Sequence, residues 1–281
     1  VSGRPGNPFL ADVCDGPFSV EESKSVPGMN VDIVRQLSDA IDDRQKNAGR
    51  KSGQPLMLLT APRAGYGKTH LLGRVAEAAG GQVVLLPLAF RMGDEIGFPA
   101  VGRRGLEALA RAEGTRPGWT RLRETCAGVW STLLRRLISD GTLPCANPEQ
   151  ALKVLEGHPA DVFDPDGPAR LIGDWLKKHS APLRKPMSAL ASRVTGVAQD
   201  ELDAWLQAML EQGVEGGNAG LGLLRQLVAM PGEEPCLNWL RLLSVWRPVV
   251  LLVDHLDAYY RNPDAGLKIA SLLLDIADMD E

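Results

Sequence analysis

The chain has 281 residues, of which 44% are apolar and 23% are charged, and its formal net charge is −4 at pH 7. This length and apolar content suffice for a sizeable buried core, in one large domain or two ordinary ones. The acidic balance gives no overall attraction to nucleic acid or anionic membrane, and no apolar run approaches the length of a membrane span. The four cysteines lack the paired spacing of a disulfide framework or zinc site. We therefore expect a globular cytoplasmic protein with reduced thiols.

The N-terminal region predicts an extended arm followed by a helix, which we assign together to residues 1–52. Residues 1–29 are rich in proline, glycine and acidic side chains and lack hydrophobic periodicity. Asn30 can cap the helix that follows, because its side chain can accept a hydrogen bond from the first turn. The apolar residues of this helix recur at helical spacing, at Val31, Val34, Leu37 and Ile41.

The segment from Leu56 to Leu72 predicts a strand, a phosphate-binding loop and a helix, in that order. A short apolar run opens the segment and favours the strand. Gly65 and Gly67 follow it and lack a Cβ, so the backbone can bend there and approach a polyphosphate closely. The segment is typical of a site for a nucleoside triphosphate.

The residues after these glycines supply the remaining contacts that a triphosphate needs. Lys68 can reach the outer phosphates, the hydroxyl of Thr69 can hold Mg²⁺, and the helix from His70 directs its positive end at the anion. Pro62 stands where the usual motif has glycine, and we expect this change to be tolerated because the nearest N–H groups come later in the loop. The expected nucleotide contacts are Pro62, Arg63, Ala64, Gly65, Tyr66, Gly67, Lys68, Thr69 and His70.

The chain after the loop predicts a parallel sheet. The helix is expected to end near Ala79, because two glycines follow. The next apolar run, Gln82–Leu88, predicts a second strand. A strand, a helix and a strand in this order form a right-handed unit with parallel strands, and ligands bind at the carboxyl edge of such sheets.

A third strand is predicted at Val249–Val253, directly before Asp254. This apolar run is typical of a buried strand in a parallel sheet. A carboxylate at its end can orient the Mg²⁺ that binds the β- and γ-phosphates. The alternative is that Asp254 caps a helix after a core strand. We favour the metal ligand because the phosphate-loop motif occurs in the same chain.

Residues 93–246, between the second and third strands, have almost only helical periodicity and predict an all-helical insertion. The clearest apolar stripes are Leu122, Cys126, Val129, Trp130, Leu133, Leu134 and Leu137, and Leu202, Trp205, Leu206, Met209 and Leu210. Such stripes more often form a core than contact a ligand. We expect loops to separate the helices near Pro144, Pro165, Pro182 and Pro231.

The charges of the insertion are uneven. Residues 103–136 contain eight arginines and three glutamates, whereas residues 199–234 contain seven acids and one arginine. The first segment can form a phosphate-contacting face, with Trp119 available for stacking on a base. We favour the alternative of a solvated helix face or of salt bridges between the two segments.

Three parts of the chain resemble known ATPases. Gly65–Leu72 resembles the phosphate loop of the AAA+ ATPases, and its Gly-Lys-Thr-His-Leu-Leu run is similar to bacterial replication initiators. Asn7–Phe9 and Val26–Asn30 resemble the N-terminal linker of the origin-recognition group, which lies against the adenine. Arg247–Asp257 is similar to the Walker B region of the signal-transduction ATPases with numerous domains. The resemblance covers about a third of the chain, and only the loop and the Walker B segment are specific.

The resemblance implies an α/β fold, a parallel-sheet P-loop core of three αβα layers with the helical insertion between its second and third strands. Residues 53–92 and 247–281 would form this nucleotide-binding core, and residues 93–246 the insertion. AAA+ sheets have two further strands, which carry a sensor residue and lead to an arginine finger and a helical lid. We therefore expect these residues to be the N-terminal part of a longer protein.

The resemblance also implies Mg·ATP as the bound species, with Thr69 and Asp254 on the metal. AAA+ enzymes place a glutamate after the Walker B aspartate to polarise the attacking water, and this chain has His255 there. Asp257 or His255 can take that catalytic role beside Asp254. ATP binding is therefore better supported than hydrolysis.

Three functions remain open on the sequence alone. The first is an ATPase that acts as a switch or assembly motor in a larger multidomain protein, as a homo-oligomer or through a partner protein bound to the insertion. The second is an interaction module that holds nucleotide and scarcely hydrolyses it. The third is an initiator-like ATPase that engages DNA through its arginine-rich helices.

Overall fold

The computed structural model describes residues 30–46, 56–60, 67–90, 93–157, 159–164, 166–167, 170–256, 259 and 262–278. This part of the chain forms ten α-helices and two strands. The helices are α1 (Val31–Lys46), α2 (Lys68–Ala79), α3 (Phe98–Arg111), α4 (Arg121–Ser139), α5 (Pro148–Leu155), α6 (Arg170–Thr195), α7 (Gln199–Glu215), α8 (Asn218–Val228), α9 (Glu234–Ser244) and α10 (Pro263–Asp278). The strands are β1 (Val84–Ala89) and β2 (Val249–Asp254). None of these described helices combines the length and the apolar character that crossing a membrane requires.

The predicted three-layer αβα core is wrong, because the protein is mostly helical and its described residues contain only two parallel strands. Strands β1 and β2 pair directly in a two-stranded sheet. The predicted first strand, Leu56–Thr60, has no regular secondary structure, and the side chain of Leu58 is 76% exposed. A strand needs a neighbouring edge for its N–H and C=O groups, and an apolar run does not by itself supply that neighbour.

The chain divides into two compact units. The first, which we call the sheet unit, comprises Val1–Gly97 and Val250–Glu281. The second, the helical unit, comprises Phe98–Val249. Each has buried apolar residues of its own, so each can exclude water from its interior.

The core of the sheet unit lies between α2 and the strands. Its buried members are Ala76, Ala79, Val83, Leu85 and Leu252, and Ile41, Leu72 and Val250 pack against them. Helices α1 and α2 pack against each other, and Ile41 brings α1 to this core. The apolar face of α2 therefore fixes this helix on the sheet.

Helix α4 is the centre of the helical unit. It packs against α3, α5, α6, α7 and α9. Its predicted stripe is buried along its whole length, and the indole N–H of Trp130 donates to the carbonyl of Leu206 at 3.0 Å. The stripe of α7 is buried as well. The prediction that these stripes are core is confirmed.

The prediction of a loop near Pro182 is wrong. Pro182 and Pro186 both lie inside α6, which is 26 residues long. A proline inside a helix removes one backbone hydrogen bond and clashes with the preceding turn. Leu183 and Met187 are buried beside these prolines, so apolar packing supports the helix where its hydrogen bonding is interrupted.

Candidate functional site

Helix α2 begins at Lys68, directly after a glycine in a left-handed conformation. Gly67 has φ 76°, and a Cβ at this position would meet no atom within 4 Å. The glycine is therefore needed for its backbone conformation and not for close packing. The first turn of α2, a helix described in full, contains no acidic residue. The N-terminal end of α2 is thus compatible with an anion, which its dipole and first N–H groups favour.

Asp254 ends β2 and is 7% exposed. The backbone N–H of Phe90, which follows β1, donates to the carbonyl of Asp254 in a long hydrogen bond of 3.4 Å. The ends of the two parallel strands therefore lie side by side. A carboxylate at this depth must be hydrogen-bonded, because burying it without partners is strongly unfavourable.

The side chains of Thr69 and Asp254 are in direct contact. The hydroxyl Oγ1 of Thr69 donates to Oδ2 of Asp254, although 185 positions separate the two residues in the sequence. The backbone N–H of His255 donates to the other carboxylate oxygen, Oδ1, at 2.7 Å. Both oxygens of the buried carboxylate are therefore engaged, and the first turn of α2 meets the carboxyl end of β2.

The remaining predicted site residues fall into two groups. Lys68 and His70 lie with Thr69 in the first turn of α2 and are partly buried. His255 is exposed and adjoins Asp254. Other predicted site residues lie outside the described residues, and these are Pro62, Arg63, Ala64, Gly65, Tyr66 and Asp257. The same holds for the linker-like segments within residues 1–29.

The contacting oxygens of Thr69 and Asp254 fit a magnesium ion. A hydroxyl and a carboxylate are hard oxygen donors of the kind that Mg²⁺ prefers. Among the described residues, no group of three or more histidine, cysteine, aspartate or glutamate side chains is placed to hold a metal. A site made of three or more such side chains would suit Mg²⁺ poorly. This ion usually keeps several waters and takes one or two carboxylates together with substrate phosphates.

A cavity of about 430 Å³ in the sheet unit is lined by residues that follow β1 and β2 in the sequence. Its lining includes Asp94 and Glu95 after β1, and Tyr259, Asp264 and Lys268 after β2. Three of these are acidic and one is basic, so the cavity is unsuited to a triphosphate. These residues were not predicted from the sequence, although they follow two apolar runs that predict strands.

In the helical unit, Arg123 of the arginine-rich segment contacts other groups of the same unit. The guanidinium carbon of Arg123 lies 3.7 Å from the ring centroid of Trp119, which is 9% exposed. Arg123 also donates to the carbonyls of Gly213 at 3.1 Å and Val214 at 2.9 Å, near the end of α7. Burial lowers the pKa of Arg123 from its ordinary value. Trp119 is therefore covered, and its face is occupied by a side chain of the same protein.

A second arginine of this segment, Arg116, pairs with Asp161 and Asp164. Its partners lie outside the acidic segment 199–234. A salt bridge does join the two segments, but with the opposite polarity, since Nε of Arg225 lies 2.7 Å from Oε1 of Glu107. Arg116, Arg123 and Arg225 thus all have partners within the helical unit.

No family model, no curated protein and no solved structure matches the chain.

We expect Arg123→Ala to destabilise the helical unit by about 1.5–3 kcal/mol, because hydrogen bonds from a charged donor to two carbonyls are lost. Arg123→Lys should not restore stability, since an ammonium lacks the planar fork that reaches both carbonyls. Chemical denaturation followed by circular dichroism measures the change.

The matched control is Arg135→Ala, also on α4. Arg135 lies 3.8 Å from Glu156 in an exposed ion pair, so its loss should change stability by less than about 0.5 kcal/mol. Equal stability of the two alanine variants would contradict the internal role of Arg123.

Proposed function

We propose that the sheet unit binds Mg²⁺ and a nucleoside triphosphate at the junction of α2 and β2. The observation that carries this proposal is the contact between the Thr69 hydroxyl and the Asp254 carboxylate. The two residues come from separate motifs, and each was expected from the sequence to hold the same metal ion. A chance contact between a hydroxyl and a buried carboxylate could involve any threonine or serine. Here the hydroxyl belongs to a Gly-Lys-Thr sequence at the start of a helix.

Each residue has a defined part in binding. The Lys68 ammonium neutralises charge on the outer phosphates, and the N-terminal end of α2 favours the same anion. Thr69 and Asp254 hold Mg²⁺, Thr69 through its hydroxyl and Asp254 through its carboxylate. A magnesium ion held by these two residues would supply positive charge to stabilise the phosphates. The choice of ATP as the nucleotide rests on the resemblance to AAA+ and signal-transduction ATPases.

Hydrolysis would make the protein a nucleotide-driven switch or assembly motor. A general base must lie within hydrogen-bond reach of the attacking water. His255 is the exposed neighbour of Asp254, and Asp257 is the nearest carboxylate that follows in the sequence. These two residues are the candidates for the base.

One observation favours the second function, an interaction module that hydrolyses nucleotide slowly. The residue after Asp254 is a histidine whose backbone, not its side chain, contacts the carboxylate. The position that AAA+ enzymes use for water activation therefore has a different chemistry here. The DNA-engaging alternative is less favoured, since Trp119 and Arg123 contact each other.

Lys68→Ala should weaken Mg·ATP binding about 10- to 100-fold, because charge-assisted contacts to phosphate contribute about 1.5–3 kcal/mol. Isothermal titration calorimetry with and without Mg²⁺ measures this loss. Lys46→Ala is the control, since it removes the same charge from an exposed position at the end of α1 in the sheet unit. Unchanged affinity in the Lys68 variant would rule out this site.

Phosphate release decides between the two functions. If the protein is an ATPase, turnover should fall at least about 10²-fold in Asp254→Asn. It should fall as much in the variant that lacks the general base, which is either Asp257→Asn or His255→Ala. If it is a binding module, the parent protein should bind Mg·ATP and release phosphate no faster than these variants. A malachite green assay under saturating Mg·ATP distinguishes the two outcomes.

A further inference from the structure

His255 has a backbone conformation that is uncommon for residues other than glycine. Its φ is 65°, in the left-handed region, and among the described residues only Asn30 is another non-glycine with positive φ. Left-handed backbone brings the Cβ of an L-residue close to the following carbonyl oxygen, so it is unfavourable. Such strain is maintained only when surrounding contacts require it, and it is concentrated at functional sites.

The contact that accompanies this conformation is made by the main chain. The N–H of His255 belongs to the peptide that joins it to Asp254, and it donates to Oδ1 of Asp254 at 2.7 Å. Rotating this peptide by about 180° would return φ of residue 255 to negative values while scarcely moving the flanking Cα atoms, since peptides are planar units. The same rotation would direct a carbonyl oxygen, instead of the N–H, at the carboxylate. The positive φ and the hydrogen bond therefore depend on one another.

The hydrogen bond orients the carboxylate for its other contact. With Oδ1 held by the N–H of His255, the second oxygen, Oδ2, faces Thr69. A carbonyl oxygen in place of that N–H would repel the carboxylate and rotate or expel it from this position. The peptide orientation at residue 255 thus controls where Asp254 presents its oxygens.

We propose that His255 is a positioning residue of the metal–nucleotide site and that it acts through its main chain. This inference rests on the proposed function for its effect on nucleotide binding. The left-handed backbone keeps the Asp254–His255 peptide turned toward Oδ1, which leaves Oδ2 for Thr69 and the magnesium ion. The imidazole is not required for this role.

Substitutions at residue 255 separate the main chain from the imidazole. Glycine and asparagine tolerate left-handed backbone, alanine tolerates it less, and the β-branched valine least. We expect His255→Gly and His255→Asn to keep Mg·ATP affinity within about twofold, and His255→Val to lose about 5- to 30-fold. Titration calorimetry at constant Mg²⁺ measures this order, and alanine should fall between asparagine and valine.

The opposite order would overturn the proposal. If the imidazole is what matters, all four variants should lose affinity equally, and glycine should offer no rescue. Equal affinity of the glycine and valine variants would also overturn it. A valine variant that fails to fold is identified by its thermal melting curve. In that case the difference in Mg·ATP affinity between the asparagine and alanine variants decides whether the proposal holds.

Melting of the same variants without nucleotide separates this inference from the proposed function. Glycine at residue 255 should raise the melting temperature of the sheet unit by about 2–4 °C, and valine should lower it. In the Asp254→Ala background the difference between glycine and valine should shrink, because the peptide loses its hydrogen bond to Oδ1 and retains the long one that its carbonyl accepts from Phe90. If the parent protein fails to bind Mg·ATP but this pattern holds, the proposed function is wrong and the backbone role stands. If the difference persists in the Asp254→Ala background, the backbone role is wrong.

Discussion

The buried carboxylate of Asp254 imposes the main constraint on this protein. A carboxylate that is 7% exposed needs hydrogen-bond donors. One donor is the hydroxyl of Thr69 on α2, and the other is the backbone N–H of His255. The first contact fixes the helix against the strand, and the second fixes the strained turn that follows β2. Both the position of α2 and the geometry of the candidate metal site depend on these two donors.

The two units use charge in different ways. In the sheet unit, two uncharged donors hold the carboxylate of Asp254. In the helical unit, Arg123 and Arg116 have local partners within the same unit. Arg123 and Arg116 therefore serve packing and helix-end contacts within the helical unit.

Local apolar patterns located the buried faces of α4 and α7 and the strands β1 and β2, but they did not predict the helix around Pro182. Apolar residues that recur every three or four positions placed Trp130 and Trp205 in the core, and both are buried. The run at Leu56–Thr60 was predicted as a strand and is not one, because strand pairing depends on distant neighbours that a local window does not contain. The proximity of Thr69 and Asp254 was expected from two motifs with complementary chemistry. The left-handed turn at His255 had no sequence signal, since histidine does not mark positive φ as glycine does.

A double-mutant cycle on Thr69 and Asp254 tests the central claim most directly. The affinity for Mg·ATP is measured for the parent, Thr69→Ala, Asp254→Ala and the double variant at fixed Mg²⁺. If the two side chains hold one metal ion together, their effects are non-additive, with an interaction energy of at least about 1 kcal/mol. Additive losses, or no loss in either single variant, would contradict the account.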